Sequence, residues 1–239
     1  MSYIYILGAQ MIAENVDKMS MRIAAACARS GRSVRDVTLI AVTKTFGSEQ
    51  IQEAMKAGVH DFGENYVQEL QRKREEIPAD QIRWHFIGHL QSNKIKQIIG
   101  WIEAIHAVDS THLGEEISRL ASRINRTVNI LVEVNTTGEK SKYGVSPDSA
   151  PVLVEKLLLL PNVNVVGLMT IGPFLADPEG SRPSFQQLRN LRESIEQRCS
   201  ISLPQLSMGM SHDFEVAIEE GATMVRLGTA IFGQRVKPA

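Results

Sequence analysis

The chain has 239 residues with 26 Lys and Arg against 27 Asp and Glu, a formal net charge of −1. That balance provides no broad basic face for nucleic-acid phosphates, and 43% apolar with 22% charged residues excludes a disordered or collagen-like chain. The length suits one large core or two modest ones, and a closed α/β barrel of about 250 residues would use nearly all of it.

The first charge is Glu14, but the preceding stretch lacks a basic start and contains Gly8 and Gln10, so it makes a poor secretory signal and a cytoplasmic protein is expected. An amphipathic segment follows from Ile12 to Ser30, with Ile12, Val16, Met19, Ile23 and Ala24 at helical spacing. Beyond it, short β-branched runs alternate with segments of helical period, the pattern of a parallel sheet with crossover helices. The strand candidates are Val37 to Val42, Val59 to Phe62, Arg83 to Ile87, Ala104 to Val108, Val128 to Val134, Val163 to Thr170, Gln205 to Met208 and Thr223 to Leu227. Helical stretches lie between them near residues 48–56, 65–76, 93–99, 111–125, 146–159, 182–198 and 212–219. Eight such units predict a (β/α)8 TIM barrel with an extra N-terminal helix, in one domain spanning residues 1–239. A doubly wound sheet more often stops at five to seven strands.

Leu157 to Ala176 is free of charge over 20 residues, but Pro161, Asn162, Asn164, Gly167 and Pro173 interrupt it, and no membrane span is expected. Cys27 and Cys199 are far apart in helical segments, which leaves no zinc knuckle or redox pair and points to free thiols in a reducing compartment. His85 and His89 stand four apart on a strand with Gly88 between them, a poor arrangement for a metal.

Small or reactive residues gather just after the strand ends: Thr43-Lys44, Gly63-Glu64-Asn65, Gly88-His89, Asp109, Asn135-Thr136-Thr137, Met169-Thr170, Ser207 to Ser211 and Arg226 to Thr229. In a barrel these ends form one rim, the face where active sites are built. Each could singly be a turn or cap residue; together they mark a site. Lys44 ends a strand of buried character. It either reaches solvent or sits where burial lowers its pKa and makes the amine nucleophilic toward a carbonyl. The glycine-rich turns at Ser207-Met-Gly-Met-Ser211 and Gly228-Thr229 fall after the seventh and eighth strands, where barrels commonly bind phosphate. No Walker motif or dinucleotide fingerprint is present.

Six ordered motifs carry a family resemblance from about Ile12 to Gln234: Leu39-Ile-Ala-Val-Thr-Lys-Thr45, Phe62-Gly-Glu-Asn-Tyr-Val-Gln-Glu69, Trp84-His-Phe-Ile-Gly-His-Leu-Gln-Ser-Asn-Lys94, Gly167-Leu-Met-Thr170, Ser207-Met-Gly-Met-Ser211 and Arg226-Leu-Gly-Thr-Ala-Ile-Phe-Gly233. The chain resembles the pyridoxal phosphate homeostasis proteins, single barrels similar to the N-terminal domain of alanine racemase. The resemblance implies that Lys44 forms the Schiff base with pyridoxal 5′-phosphate. It further implies that Ser207, Met208, Gly209 and Ser211 with Gly228 and Thr229 hold the phosphate, that Arg226 faces the pyridine nitrogen, and that Asn65 and Met169 line the ring pocket. His212 receives no role from it. A guanidinium donates to the ring nitrogen but does not protonate it, so the ring is a weak electron sink and carbanion chemistry is poorly supported.

The implied function is therefore non-catalytic: the protein binds, buffers and delivers the cofactor through a lysine aldimine in intracellular homeostasis. Other B6 vitamers and transient contacts with apo-enzymes belong to that expectation, as does a monomeric state without nucleic-acid or membrane partners. Alanine racemase has a further β-rich domain that brings a catalytic tyrosine across a dimer, whereas this chain ends at Ala239, soon after the last motif. Residues 1–10 precede the usual family start, are expected as a flexible extension, and leave Met11 as a candidate initiator. The alternative is an amino-acid racemase, in which Tyr143 would supply the acid or base opposite Lys44. A lysine-dependent aldolase ranks last, because its lysine more often comes from a late strand.

Overall fold

The computed structural model describes residues 3–78 and 81–234. Eight parallel strands close in sequential order, β1 (Thr38–Val42), β2 (Asp61–Glu64), β3 (Arg83–Phe86), β4 (Ala104–Val108), β5 (Val128–Glu133), β6 (Val163–Met169), β7 (Gln205–Met210) and β8 (Met224–Leu227), with β8 pairing back onto β1. The (β/α)8 expectation is met. Each strand leads into a helix or a 3-10 turn: α2 (Ser48–Lys56), α3 (Val67–Glu76), a 3-10 helix (Ser92–Gln97), α4 (Thr111–Arg123), α5 (Ala150–Leu158), α6 (Arg182–Cys199), α7 (Phe214–Glu219) and α8 (Thr229–Phe232).

The leading helix α1 (Tyr3–Arg29) starts earlier than its apolar pattern suggests. Residues 3–10, expected as an extension ahead of the fold, carry helical backbone; residues 1 and 2 lie outside the described residues. Ile12, Val16, Met19 and Ile23 are all at most 5% exposed and form one stripe that packs against α2, α7 and α8. α8 has only four residues and covers little of the sheet. α1 thus takes the place of the eighth outer helix, which is why the barrel needs a helix before its first strand.

The helix expected near residues 93–99 is instead the 3-10 helix Ser92–Gln97, and Ile98 N donates to Ile95 O at 3.0 Å in the tighter pattern. A 3-10 turn advances about 2.0 Å per residue against about 1.5 Å for an α-helix, so a short linker can travel the height of the sheet between β3 and β4. Ile95, Ile98 and Ile102 are fully buried along it. α3 begins at Val67 rather than Asn65, because Asn65 is held against the next strand end: a Cβ on Gly88 would stand 2.4 Å from the Asn65 carbonyl oxygen.

Successive strand residues point to opposite faces. The outward side chains, such as Ala41, Phe62, Trp84, Leu206 and Val225, join the main core between sheet and helices. The inward faces carry a much smaller apolar cluster of Ala104, Ala107, Leu131 and Met169. Ile40, Val42, Ile87 and Met224 also face inward, but beside them stand the polar Asp61, His85, His106, Ser207 and Arg226, all buried. A barrel interior normally fills with branched apolar residues; here much of it is a hydrogen-bonded network.

Candidate functional site

Lys44 leaves β1 at the rim. Alternation turns Thr43 outward and Lys44 toward the barrel mouth, and a tight turn follows, with Phe46 N donating to Thr43 O at 2.9 Å and Thr45 in the left-handed region at φ 74°. A non-glycine residue there needs support, and a buried charge cluster supplies it. The Lys73 ammonium on α3 is 0% exposed and donates to Thr43 O at 2.6 Å, to Glu69 Oε1 at 2.7 Å and to Glu64 Oε1. Thr45 N donates to the same Glu69 Oε1 at 2.6 Å, and the Thr43 hydroxyl donates to Glu64. Residues 43–45 are therefore clamped from outside the sheet. Burial pushes the Glu64 carboxyl above its ordinary range, opposed by the adjacent Lys73 ammonium, and Glu64 Oε2 is buried without a partner among the described residues.

On the next strand of the ring, Arg226 points into the barrel below the mouth. Its Nη1 donates to Ser207 Oγ at 2.6 Å and its Nη2 to the Thr170 carbonyl at 2.8 Å. Burial lowers the guanidinium to about 10, still protonated at neutral pH, with Glu133 and Asp213 opposing the shift. Glu133, at the end of β5, is pushed up to about 7 by burial and by the Asp109 carboxylate, while Arg226 pulls it down. Thr170 also anchors the rim: its Oγ1 donates to Val134 O at 2.7 Å and lies 2.9 Å from Thr136 Oγ1.

The stretch 207–211 divides by face. Ser207 is 0% exposed, and its hydroxyl is engaged inside the barrel with Arg226 and, at 2.9 Å, with His106 Nδ1. Met208 packs outward in the main core, so only its backbone faces the rim turn. Gly209 has φ 90°, and a Cβ there would lie 2.5 Å from the Ala217 Cβ, so close packing of α7 requires glycine. Ser211 is the hydroxyl at the mouth: its Oγ accepts from Gly228 N at 3.2 Å and Ala230 N at 3.3 Å. Two backbone amides of the turn after β8 thus converge on one oxygen, next to β1, where Val42 O stands 3.4 Å from a Cβ position on Gly228. Thr229 opens α8 beside them.

Of the ring-pocket candidates, Asn65 stays at the rim with its Oδ1 buried and unpartnered among the described residues. Met169 is fully enclosed beside Ala104, Ala107 and Leu131 and forms interior packing. His85 and His89 do not come together: His85 points inward to Asp61 and His106, whereas His89 stacks on Tyr143 at 4.2 Å between ring centres. No cluster that could hold a metal ion occurs among the described residues. Tyr143 is 58% exposed on a loop organised by Asn135, whose Oδ1 accepts from Thr137 N and Gly138 N. His212 lies 3.1 Å from Ala176 O, tying the loop after β6 to the end of β7.

Lys73, Glu133, His85 and His106 were not among the expected site residues. The Glu69–Lys73 pair is visible as an i,i+4 spacing on α3. A lone histidine in Ala104-Ile-His-Ala-Val108 gives a fainter signal, that of a polar group in a buried strand.

Residues 15–236 match the family model for the alanine racemase N-terminal domain. A pyridoxal phosphate homeostasis protein of Aquifex aeolicus is 46% identical over 222 residues, covering 93% of this chain and 97% of the relative. A solved structure of a protein from Bifidobacterium adolescentis aligns with TM-score 0.89 at 39% identity over 95% of this chain and 96% of its own. PipY of Synechococcus elongatus PCC7942, solved with PLP bound, aligns with TM-score 0.79 at 35% identity over 90% of this chain and 99% of its own. The sequence motifs, the closed barrel and these matches agree: the chain belongs to the pyridoxal phosphate homeostasis protein family, within the alanine racemase N-terminal domain fold.

Proposed function

We propose that this protein binds pyridoxal 5′-phosphate and acts as a cytoplasmic, monomeric buffer and carrier of the cofactor, without catalytic turnover. The observation that carries the reading is the alignment of three chemistries at one mouth: the Lys44 amine, the amide pair meeting at Ser211 Oγ, and the Arg226 guanidinium below. These residues fit the group. A phosphate oxygen suits two converging backbone N–H groups and a hydroxyl, and the orphaned Asn65 Oδ1 is an acceptor that a bound ligand can satisfy. When bound, the cofactor supplies an amine-reactive aldehyde and an electron-accepting ring.

In this reading Lys44 is the covalent anchor, held in place by the clamp on residues 43–45. Ser211, Gly228 and Thr229 hold the phosphate, with the backbone of residues 207–209 shaping the turn. Arg226 donates to the ring nitrogen and keeps its own proton, so the ring stays a poor electron sink. PLP, other B6 vitamers and transiently docked apo-enzymes are the partners. No described helix is long and apolar enough to cross a membrane.

Adding pyridoxal 5′-phosphate should produce a visible absorbance that borohydride fixes as a label on Lys44, and Lys44→Ala should abolish the band together with most tight binding. An unchanged spectrum in that variant overturns the anchor. Amino-acid racemisation lost on Tyr143→Phe would reverse the non-catalytic reading.

A further inference from the structure

Five buried side chains from β2, β3, β4, β7 and β8 stand in single file across the barrel interior. Asp61 Oδ1 lies 3.0 Å from His85 Nε2, His85 Nδ1 lies 3.0 Å from His106 Nε2, His106 Nδ1 lies 2.9 Å from Ser207 Oγ, and Ser207 Oγ lies 2.6 Å from Arg226 Nη1. None of the five is more than 7% exposed. At the outer end Arg83, with its side chain 56% exposed, grips both carboxylate oxygens of Asp61.

The donors and acceptors of this file allow one consistent direction. Arginine only donates, so Ser207 Oγ accepts from Arg226 and retains one hydroxyl hydrogen to give. Asp61 receives N–H groups from Arg83 and His85, which hold its carboxyl below the ordinary range against the cost of burial, so His85 carries a hydrogen on Nε2. The Ser207 hydrogen goes to His106 Nδ1 at 2.9 Å, so His106 donates from Nε2 to His85 Nδ1, and a His85 that accepts on Nδ1 while donating from Nε2 is neutral. Burial above all, and the charge of Arg226, push His106 well below its usual value, in keeping with a neutral ring. The opposite direction needs a His85 imidazolium paired with Asp61, turns the His106 Nδ1–H onto a Ser207 oxygen that already accepts from Arg226, and leaves the Ser207 hydrogen without an acceptor among the described residues.

We propose that His85, His106 and Ser207 are positioning residues that tie Arg226 to Asp61 through a one-way hydrogen-bond chain, with both histidines neutral and protonated on Nε2, and that this chain aims the remaining guanidinium N–H groups at the ligand. The second half of the statement rests on the cofactor reading above; the first does not. Positive charge at Arg226 and negative charge at Asp61 sit at opposite ends of a neutral relay, so the guanidinium is oriented by bonds to a hydroxyl and a carbonyl, and Glu133 and Asp213 act on it only through space. Ser207 contributes by holding Arg226, while Ser211 faces the anion.

Nitrogen-15 NMR of the histidine rings in the full chain without ligand tests the chain itself. At pH 7 the expected pattern is one protonated Nε2 and one unprotonated Nδ1 for each of His85 and His106, assigned with His106→Gln. Imidazolium or Nδ1–H signals from either ring overturn it. Titration with pyridoxal 5′-phosphate tests the positioning. His106→Gln keeps a donor and an acceptor and should bind within a few-fold of the unsubstituted protein, whereas His106→Leu should weaken binding about tenfold, the worth of a hydrogen bond to a charged group. Ser207→Ala, which removes a single oxygen, provides the same readout if the leucine variant does not fold. Equal affinity in the Gln, Leu and Ala variants overturns the positioning role. If the unsubstituted protein binds no pyridoxal 5′-phosphate, the cofactor reading fails, and the ring spectra still decide the chain.

Discussion

Two buried polar systems support the mouth of this barrel, and they handle charge in opposite ways. The clamp under Lys44 packs an ammonium directly against two carboxylates, Glu64 and Glu69, between the outer face of the sheet and α3. The interior file separates its charges, with Arg226 at one end and Asp61 at the other, joined by two imidazoles and a hydroxyl. The clamp holds backbone, through Thr43 O and Thr45 N. The file holds a side chain. A turn that must present an amine can be fixed by strong local ion pairs, whereas a guanidinium that must stay available to a ligand is better held by neutral partners that bond it without forming an ion pair.

Breaking the clamp should have the largest effect. Lys73→Met leaves Glu64 buried without its cation and should cost about 3–5 kcal/mol in denaturant unfolding, with part of the loss recovered in Lys73→Met combined with Glu64→Gln. A loss near zero would mean that the ammonium is dispensable and that the contrast with the neutral file is empty.

Glu133 sharpens the comparison from the Arg226 end, because among the described residues this interior carboxyl has no bonded cation to offset its burial. Its value rises from an ordinary 4.5 to about 7 in the folded state. Between those values the folded protein holds a proton that the unfolded chain releases, so stability is fully present below about pH 4.5 and falls as the pH rises through 7. The loss amounts to as much as about 3 kcal/mol, and Glu133→Gln should flatten that part of the stability-against-pH curve. An unchanged slope in the variant would assign the dependence to other groups.

Asp61→Asn is the smallest of the three changes. An amide oxygen in the place of Oδ1 still accepts from His85 and from Arg83 Nε, but an NH2 in the place of Oδ2 faces Arg83 Nη2, so that donor loses its partner at a cost of about 1–3 kcal/mol in thermal unfolding. A cost as large as that of Lys73→Met would show that the file, too, depends on direct charge pairing.

Much of the fold is written locally. The runs at 104–108 and 48–56 give β4 and α2 with the expected ends, because period-2 and period-3.6 patterns act over a few residues. The segment at 92–97 escapes this logic, since its 3-10 geometry answers to the distance it must span, which the apolar spacing does not encode. At the site, Lys44, Ser211 and Gly228 are legible as rim residues from their places after strands. The split between Ser207 and Ser211 is not legible from the motif they share. It depends on Ser207 facing inward on β7 and on the register shift between β7 and β8 from Ser207 to Met210.

The sequence by itself determined the number and order of the strand and helix units, the rim position of the lysine and the family of the protein, because each is carried by short patterns along the chain. The tertiary structure decided the partners of the buried polar groups. His106 and Ser207 are 101 positions apart and meet only when the barrel closes. Whether a buried hydroxyl serves a ligand or a neighbouring guanidinium follows from which acceptors closure brings within about 3 Å of it, a relation between distant strands that no local pattern contains.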